Sequence, residues 1–304
     1  MISMALDKFY LTEDNHFQYG YVEGHPTVFF AKVNPATRPV LSGLEEAAIA
    51  AKKIHHAAAG ETLNLCVSGG IDSEVMLLSF LEAKIPFEAT ILKFKDNLNE
   101  FDIFNVIEFC QKKNIKTTIL ELDVLDFLES GKHLEYGKKY RCQSPQIAVH
   151  LWLLDQVPGF PLMSGNFIYP QPLDGGVFYL GLPGDLHCTY FRYFEANQKK
   201  GIPWFLIYTP ELNQSFLNTP LAKEQAQRDP ENQIPFTYLV KCQIYNEAGF
   251  DVKPRPDKFT GFEKIRAMYD EKFGTGFGTK FDQLFRAPLV EMNPIPEEFL
   301  QIVP

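Results

Sequence analysis

Between residues 63 and 165, short apolar runs suited to strands alternate with segments whose apolar positions recur every three or four residues. The strand runs are LNLCV at 63–67, FEATILKF at 87–94, KTTILEL at 116–122 and PLMS at 161–164. Helical stretches fall at 74–83, 99–113 and 145–156. The second spaces Phe101, Phe104, Ile107 and Phe109 at helical rather than alternating intervals, and the third opens on Ser144 and Pro145, a good N-cap and first-turn pair. Strand and helix in alternation predict a parallel sheet covered by helices, a doubly wound α/β core.

The flanks differ from this middle. Residues 8–32 hold FYL, FQYGYVEG and TVFFAKV with a turn-like EGHP, which predicts a small antiparallel β piece. The run 41–60 is a helix leading into the core. Beyond Gly165 the alternation stops: Pro170, Pro172, Gly175, Gly176, Pro183 and Gly184 mark loops and a hairpin, with helical stretches around 237–248 and 260–273. The chain thus divides into an N-terminal β segment with lead-in helix at 1–60, a core at 61–166, and an irregular, partly helical region at 167–304 packed on the substrate side of the core. Neither an internal repeat nor a low-complexity tract is visible.

Composition narrows the partners. The 304 residues carry 45% hydrophobic content and a net charge of -9, from 29 basic and 38 acidic side chains. An acidic chain gains no general attraction for nucleic acid or anionic membrane, so small molecules are the favoured substrates. Cys66, Cys110, Cys142, Cys188 and Cys242 are widely spaced, without CxxC or metal-like pairing, and read as reduced thiols of an intracellular protein. The start MISMALDKFYLTEDNHF has no cationic segment followed by an apolar one, and no run approaches membrane-span length. The expected compartment is the cytoplasm.

The chemistry concentrates in TLNLCVSGGIDS, residues 62–73, where the first core strand turns into a helix beginning near Ile71. Backbone N–H groups must converge to hold a phosphate chain, and Gly69 and Gly70 remove the side chains that would obstruct them. The helix start aims its N–H groups and positive dipole end at the same place, and the Ser68 and Ser73 hydroxyls add donors. Asp72 would repel a bare phosphate, so its presence implies an intervening cation, most simply Mg²⁺. A Walker loop would end in Gly-Lys-Ser/Thr and a Rossmann loop would read GxGxxG; neither occurs here, and neither serine is framed as a GxSxG nucleophile. The bland alternative is a structural strand–helix turn.

The six residues Ser68, Gly69, Gly70, Ile71, Asp72 and Ser73 match the SGGxDS hallmark of the PP-loop ATP pyrophosphatases, and over about residues 60–166 the chain resembles that superfamily, also called adenine nucleotide alpha-hydrolase-like. It includes asparagine synthetase, GMP and NAD synthetases, tRNA thiolation enzymes and phosphoadenosine phosphosulfate reductases. The resemblance implies a HUP-like fold and ATP cleavage between the α and β phosphates, with AMP passed to a substrate oxygen and then displaced by a nucleophile. It implies that Ser68, Gly69, Gly70 and Ser73 hold pyrophosphate, that Asp72 ligands Mg²⁺, and that the backbone of Leu92, Lys93 and Phe94 reads the adenine edge. Adenylation needs cationic stabilisation of the phosphates more than acid or base groups.

Further candidates surround this loop. Glu100 or Asp102 could hold substrate or metal, against the reading that Asn99 caps a helix whose first turn favours acids. Arg141 could reach the substrate or the α-phosphate, and Cys142 beside it is either a stabilised thiolate or a structural thiol. Ser164, Gly165 and Asn166 occupy the place where the related synthetases carry a glycine-containing substrate loop, although no Asp-Glu pair follows. LGLPGDLHC at 180–188 has the wrong order for the reductases' ECGxH. Lys253, Arg255 and Lys258 could close over ATP phosphates, as late cationic residues do in relatives, or form a solvated basic surface. His55, His56 and His150 lack metal-ligand spacing and read as structural.

Together these point to an AMP-forming, Mg²⁺- and ATP-dependent ligase acting on a small molecule, with sulfur-transfer chemistry and a non-catalytic ATP-binding module as alternatives. The Met-Ile-Ser start lacks the N-terminal cysteine of an Ntn glutaminase. Nitrogen would then come from free ammonia, an amine or a separate ammonia-supplying subunit; acceptor and oligomeric state stay open.

Overall fold

The computed structural model describes residues 17–22, 25–33, 36–142, 144–173, 176–180, 188–232, 234–235, 237–255 and 259–273. It opens with an antiparallel hairpin of β1 (Phe17–Val22) and β2 (His25–Val33), followed by helix α1 (Gly43–Ala57). A capping box starts α1: the Glu45 N–H donates to Ser42 Oγ, and the Glu45 carboxylate accepts from the Ser42 N–H at 3.1 Å.

The core follows as β3 (Leu63–Val67), α2 (Ile71–Glu82), β4 (Glu88–Phe94), α3 (Glu100–Lys112), β5 (Thr117–Leu122), α4 (Val124–Glu129), α5 (Lys132–Tyr140), α6 (Pro145–Gln156) and β6 (Phe160–Met163). The four strands pair in parallel in the order β5-β4-β3-β6, with Val67 opposite Ile91 and Cys66 opposite Met163. This is the α/β architecture that the strand–helix alternation predicts. Every residue of β3 is buried, as befits a central strand that is apolar apart from Asn64, whereas β5 forms an edge and leaves Thr118, Ile119 and Glu121 exposed. The strand boundaries fall within one residue of the sequence expectation. Helices α4 and α5 were not expected, and they fill what reads as a long connection between β5 and α6.

After β6 come the hairpin β7 (Tyr169–Leu173) and β8 (Gly176–Leu180), then α7 (Thr189–Ala196), α8 (Pro210–Leu217), α9 (Pro220–Ala226), α10 (Tyr238–Glu247) and α11 (Phe262–Phe273). The described residues of this region form more regular structure than its broken pattern suggests. Ile202 bridges in parallel to Leu162, with its N–H on Pro161 O and its carbonyl on the Met163 N–H, both at 2.9 Å, and residues 202–208 are buried behind that bridge. Of the aromatic residues, 14% of the chain, Phe167, Phe216 and Tyr245 serve packing as one fully buried cluster of tilted and edge-on rings. No helix among the described residues is long and apolar enough to cross a membrane.

Candidate functional site

The chain leaves β3 for β4 and β5 on one side, then crosses to β6 on the other, so the loops after β3 and β6 part company. Ligands of open α/β sheets bind in the crevice that such a reversal creates at the carboxyl ends of the strands. A cavity of about 390 Å³ lies there. Its floor and near wall include Ser68, Ser73, Leu92, Phe94 and Gly165; its far wall is made by Gln146 and His150 of α6, Tyr190 of α7, Trp204, and Phe262 of α11.

The turn at 68–73 is held by its own hydroxyls. Ser73 Oγ accepts the Ser68 N–H at 3.0 Å, Ser68 Oγ accepts the Gly70 N–H at 3.3 Å, and the two oxygens stand 3.3 Å apart. Gly70 is the N-cap of α2 and offers no side-chain acceptor. The first-turn N–H groups of this 12-residue helix therefore have no intrahelical or capping acceptor, and they carry the positive end of its dipole.

The two glycines have different jobs. A Cβ on Gly70 would meet only Ser68 Oγ at 3.4 Å, so this glycine leaves the loop face open. A Cβ on Gly69 would lie 1.4 Å from the Asp102 carbonyl oxygen, so this glycine lets the first turn of α3 lie directly against the loop. Gly165 serves a third contact. It takes a left-handed φ of 65°, and a Cβ there would fall 1.6 Å from the Trp204 indole, whose Nε1–H donates to Asn166 O at 2.5 Å.

The other sequence candidates are spread more widely. Ile71 is core. Lys93 points to the β5 side and pairs with Glu121 at 3.2 Å. Arg141 ends α5 in a left-handed conformation, its carbonyl accepting from Thr189 Oγ1 at 3.5 Å, and it is not among the cavity-lining residues. Lys258 lies outside the described residues. Its neighbour Arg255 is held to α2 by an ion pair with Glu74, and its N–H donates to Tyr238 Oη at 3.0 Å. Burial pushes the Glu74 carboxyl up, with the Arg255 charge pulling it back.

Asp72 turns toward α10. Its Oδ2 lies 2.6 Å from Lys241 Nζ, its Oδ1 accepts the Tyr245 hydroxyl, and the same ammonium donates to Asn166 Oδ1. Burial first, and then the Asp72 carboxylate, push the Tyr245 hydroxyl well above its ordinary range, so it stays a donor. Both carboxylate oxygens are thus engaged, and no group of three His, Cys, Asp or Glu among the described residues is placed to hold a metal ion. This donor set does not suit a divalent ion ligated by Asp72, which would have to share one carboxylate with an ammonium. Lys241 and Tyr245 went unnoticed in the sequence, where an i, i+4 pair on a helix carries no sign of which loop it faces.

Asn99 also departs from expectation. It stands at the N-cap of α3 without a capping hydrogen bond; its amide instead accepts from the Phe94 N–H at 2.7 Å and donates to Leu92 O at 2.9 Å. The backbone edge proposed to read adenine is therefore filled by a side chain of the same chain. His150, read as structural, lines the cavity with Nδ1 2.7 Å from the Tyr190 hydroxyl.

No family model matches the chain, and no curated protein matches it in sequence. Among solved structures, NMN synthetase from Francisella tularensis is similar at 15% identity and a TM-score of 0.34, over 77% of this chain and 95% of that one.

All five cysteines are buried, and burial pushes the Cys66 and Cys142 thiols up to about 12. Cys142 Sγ donates to Ser144 O at 3.1 Å rather than facing a reactant. Neither thiol ionises near neutrality in the folded chain. The unfolded chain ionises them from about pH 9, so stability held below that value is lost as pH rises from 9 towards 12. Denaturant midpoints measured across that window should fall, and a thiol reagent at neutral pH should label these two cysteines only after unfolding.

Proposed function

We propose that this protein is an ATP-dependent, AMP-forming enzyme that adenylates an oxygen of a small molecule, releases pyrophosphate and passes the activated group to an amine or ammonia. The single observation carrying the reading is the uncapped start of α2, opening with Ser68 and Ser73 at the cavity between β3 and β6. N–H donors already aimed at one point stabilise charge building on phosphate oxygens without reorganising, and this is the main requirement of pyrophosphate departure. On this reading Ser68, Gly70 and Ser73 hold the phosphates, and the acceptor lies toward Gln146 and His150. Magnesium would enter on the nucleotide's own phosphates, where it neutralises their charge.

Residues 61–166 supply the phosphate loop together with Gln146 and His150, and 167–304 complete the acceptor wall through Tyr190, Trp204 and Phe262. Burial of every thiol supports a ligase over sulfur transfer. A nucleotide-binding module without catalysis is the second reading, favoured by the engagement of Asp72 with Lys241 and Tyr245.

The test is pyrophosphate and AMP release from ATP over pools of metabolites. We expect release that depends on one pool, reduced about 10²-fold in Ser73→Ala, the effect of removing one positioned donor. ADP and phosphate as products would sink the α,β-cleavage reading. ATP binding without turnover in any pool would select the module.

A further inference from the structure

The charge arrangement at Asp72 reaches beyond the proposed reaction, though it rests on the reading of residues 68–73 as a phosphate loop. A carboxylate in the first turn of α2 adjoins the loop that would hold phosphates; it turns to α10 rather than lining the cavity, and it needs a counter-charge. The structure supplies one. Lys241 Nζ lies 2.6 Å from Asp72 Oδ2, and the Tyr245 hydroxyl closes Oδ1. Lys241 and Tyr245 are one helical turn apart on α10, so a single face of that helix covers the carboxylate.

Burial sharpens the point. The Asp72 and Lys241 side chains are only 16% and 12% exposed, and Tyr245 is fully buried, so the cluster is held in place rather than loosely solvated. Asn166, from the loop after β6, accepts a further hydrogen from the same ammonium and ties α10 to both walls of the crevice. A divalent ion on Asp72 would need an oxygen at about 2.1 Å and would then face the ammonium across the same carboxylate, two cations competing for one charge.

We infer that Lys241 is the resident cation of this loop: its ammonium neutralises Asp72, so that nucleotide binding does not depend on a divalent ion ligated by that carboxylate. Asp72 thereby becomes a positioning residue that fixes Lys241 against the loop and, through Asn166, against the cavity wall, so that α10 supports the nucleotide site from behind.

The test is calorimetric binding of ATP to the full chain with magnesium or with EDTA, for wild type, Asp72→Asn, Lys241→Met and Lys241→Arg, each checked for folding by its circular dichroism melt. The wild type should bind ATP in EDTA, and Asp72→Asn should leave the ratio of the two affinities unchanged. Lys241→Met should weaken binding in EDTA by at least about tenfold, because a bare Asp72 carboxylate then repels the phosphates, with magnesium restoring part of it. Lys241→Arg, which keeps the charge, should recover most of the wild-type affinity without magnesium. Binding that needs magnesium in the wild type and loses that dependence in Asp72→Asn would overturn this assignment alone. A folded wild type that binds ATP under neither condition would overturn both the assignment and the phosphate-loop reading.

Discussion

Gly69→Ala is expected to destabilise the fold by about 3 kcal/mol, the upper end of overpacking costs, and to remove ATP-induced stabilisation, because overpacking against backbone cannot be relieved by turning a side chain. The added Cβ would fall 1.4 Å from the Asp102 carbonyl oxygen and 2.5 Å from its carbonyl carbon. Either α3 moves away or the loop at 68–73 does, and both line the same cavity. Gly70→Ala provides the contrast. Its φ of -73° suits alanine, and the new methyl meets only Ser68 Oγ at 3.4 Å. Its unfolding free energy should change by less than about 0.5 kcal/mol, while the methyl stands over the donors at the start of α2 and weakens ATP binding. Urea midpoints with and without ATP check both variants. Equal loss of stability in the two would mean that the glycines share one role.

That division between neighbouring glycines marks how far the sequence could be read. The strands at 63–67 and 87–94 were legible because their central residues are buried and mostly apolar, bounded by turns. The turn was legible because its residues act locally, through their own hydroxyls and the helix they start. Pro145 behind Ser144 announced α6, and the same signal stood unread at Thr209–Pro210 and Thr219–Pro220, which begin α8 and α9. What could not be read were partners distant in sequence. Lys241 meets Asp72 across 169 positions and Trp204 meets Asn166 across 38, and neither pairing leaves a period or a motif. Asp72 looked like a ligand in search of a cation because its cation comes from α10.

Asn99→Leu is expected to lower stability by about 2–6 kcal/mol, since it strands two buried backbone groups that each cost about 1–3 kcal/mol unpaired. Asparagine before a helix reads as a cap, yet this one is 4% exposed and spends its amide on Leu92 O and the Phe94 N–H. Beyond Val67 opposite Ile91, β3 no longer pairs with β4, so those groups need another partner. Asn99→Asp separates the two bonds: it keeps an acceptor for the Phe94 N–H and sets a second oxygen against Leu92 O. Its loss should approach that of Leu. The amide also presents the donor and acceptor that an adenine edge would present to the same strand, so adenine reaches the strand only by displacing Asn99. Asn99→Ala opens that edge and is expected to raise discrimination for ATP over GTP, measured as the difference in their thermal stabilisation of the protein. Unchanged discrimination would mean that adenine is read somewhere other than at the end of β4.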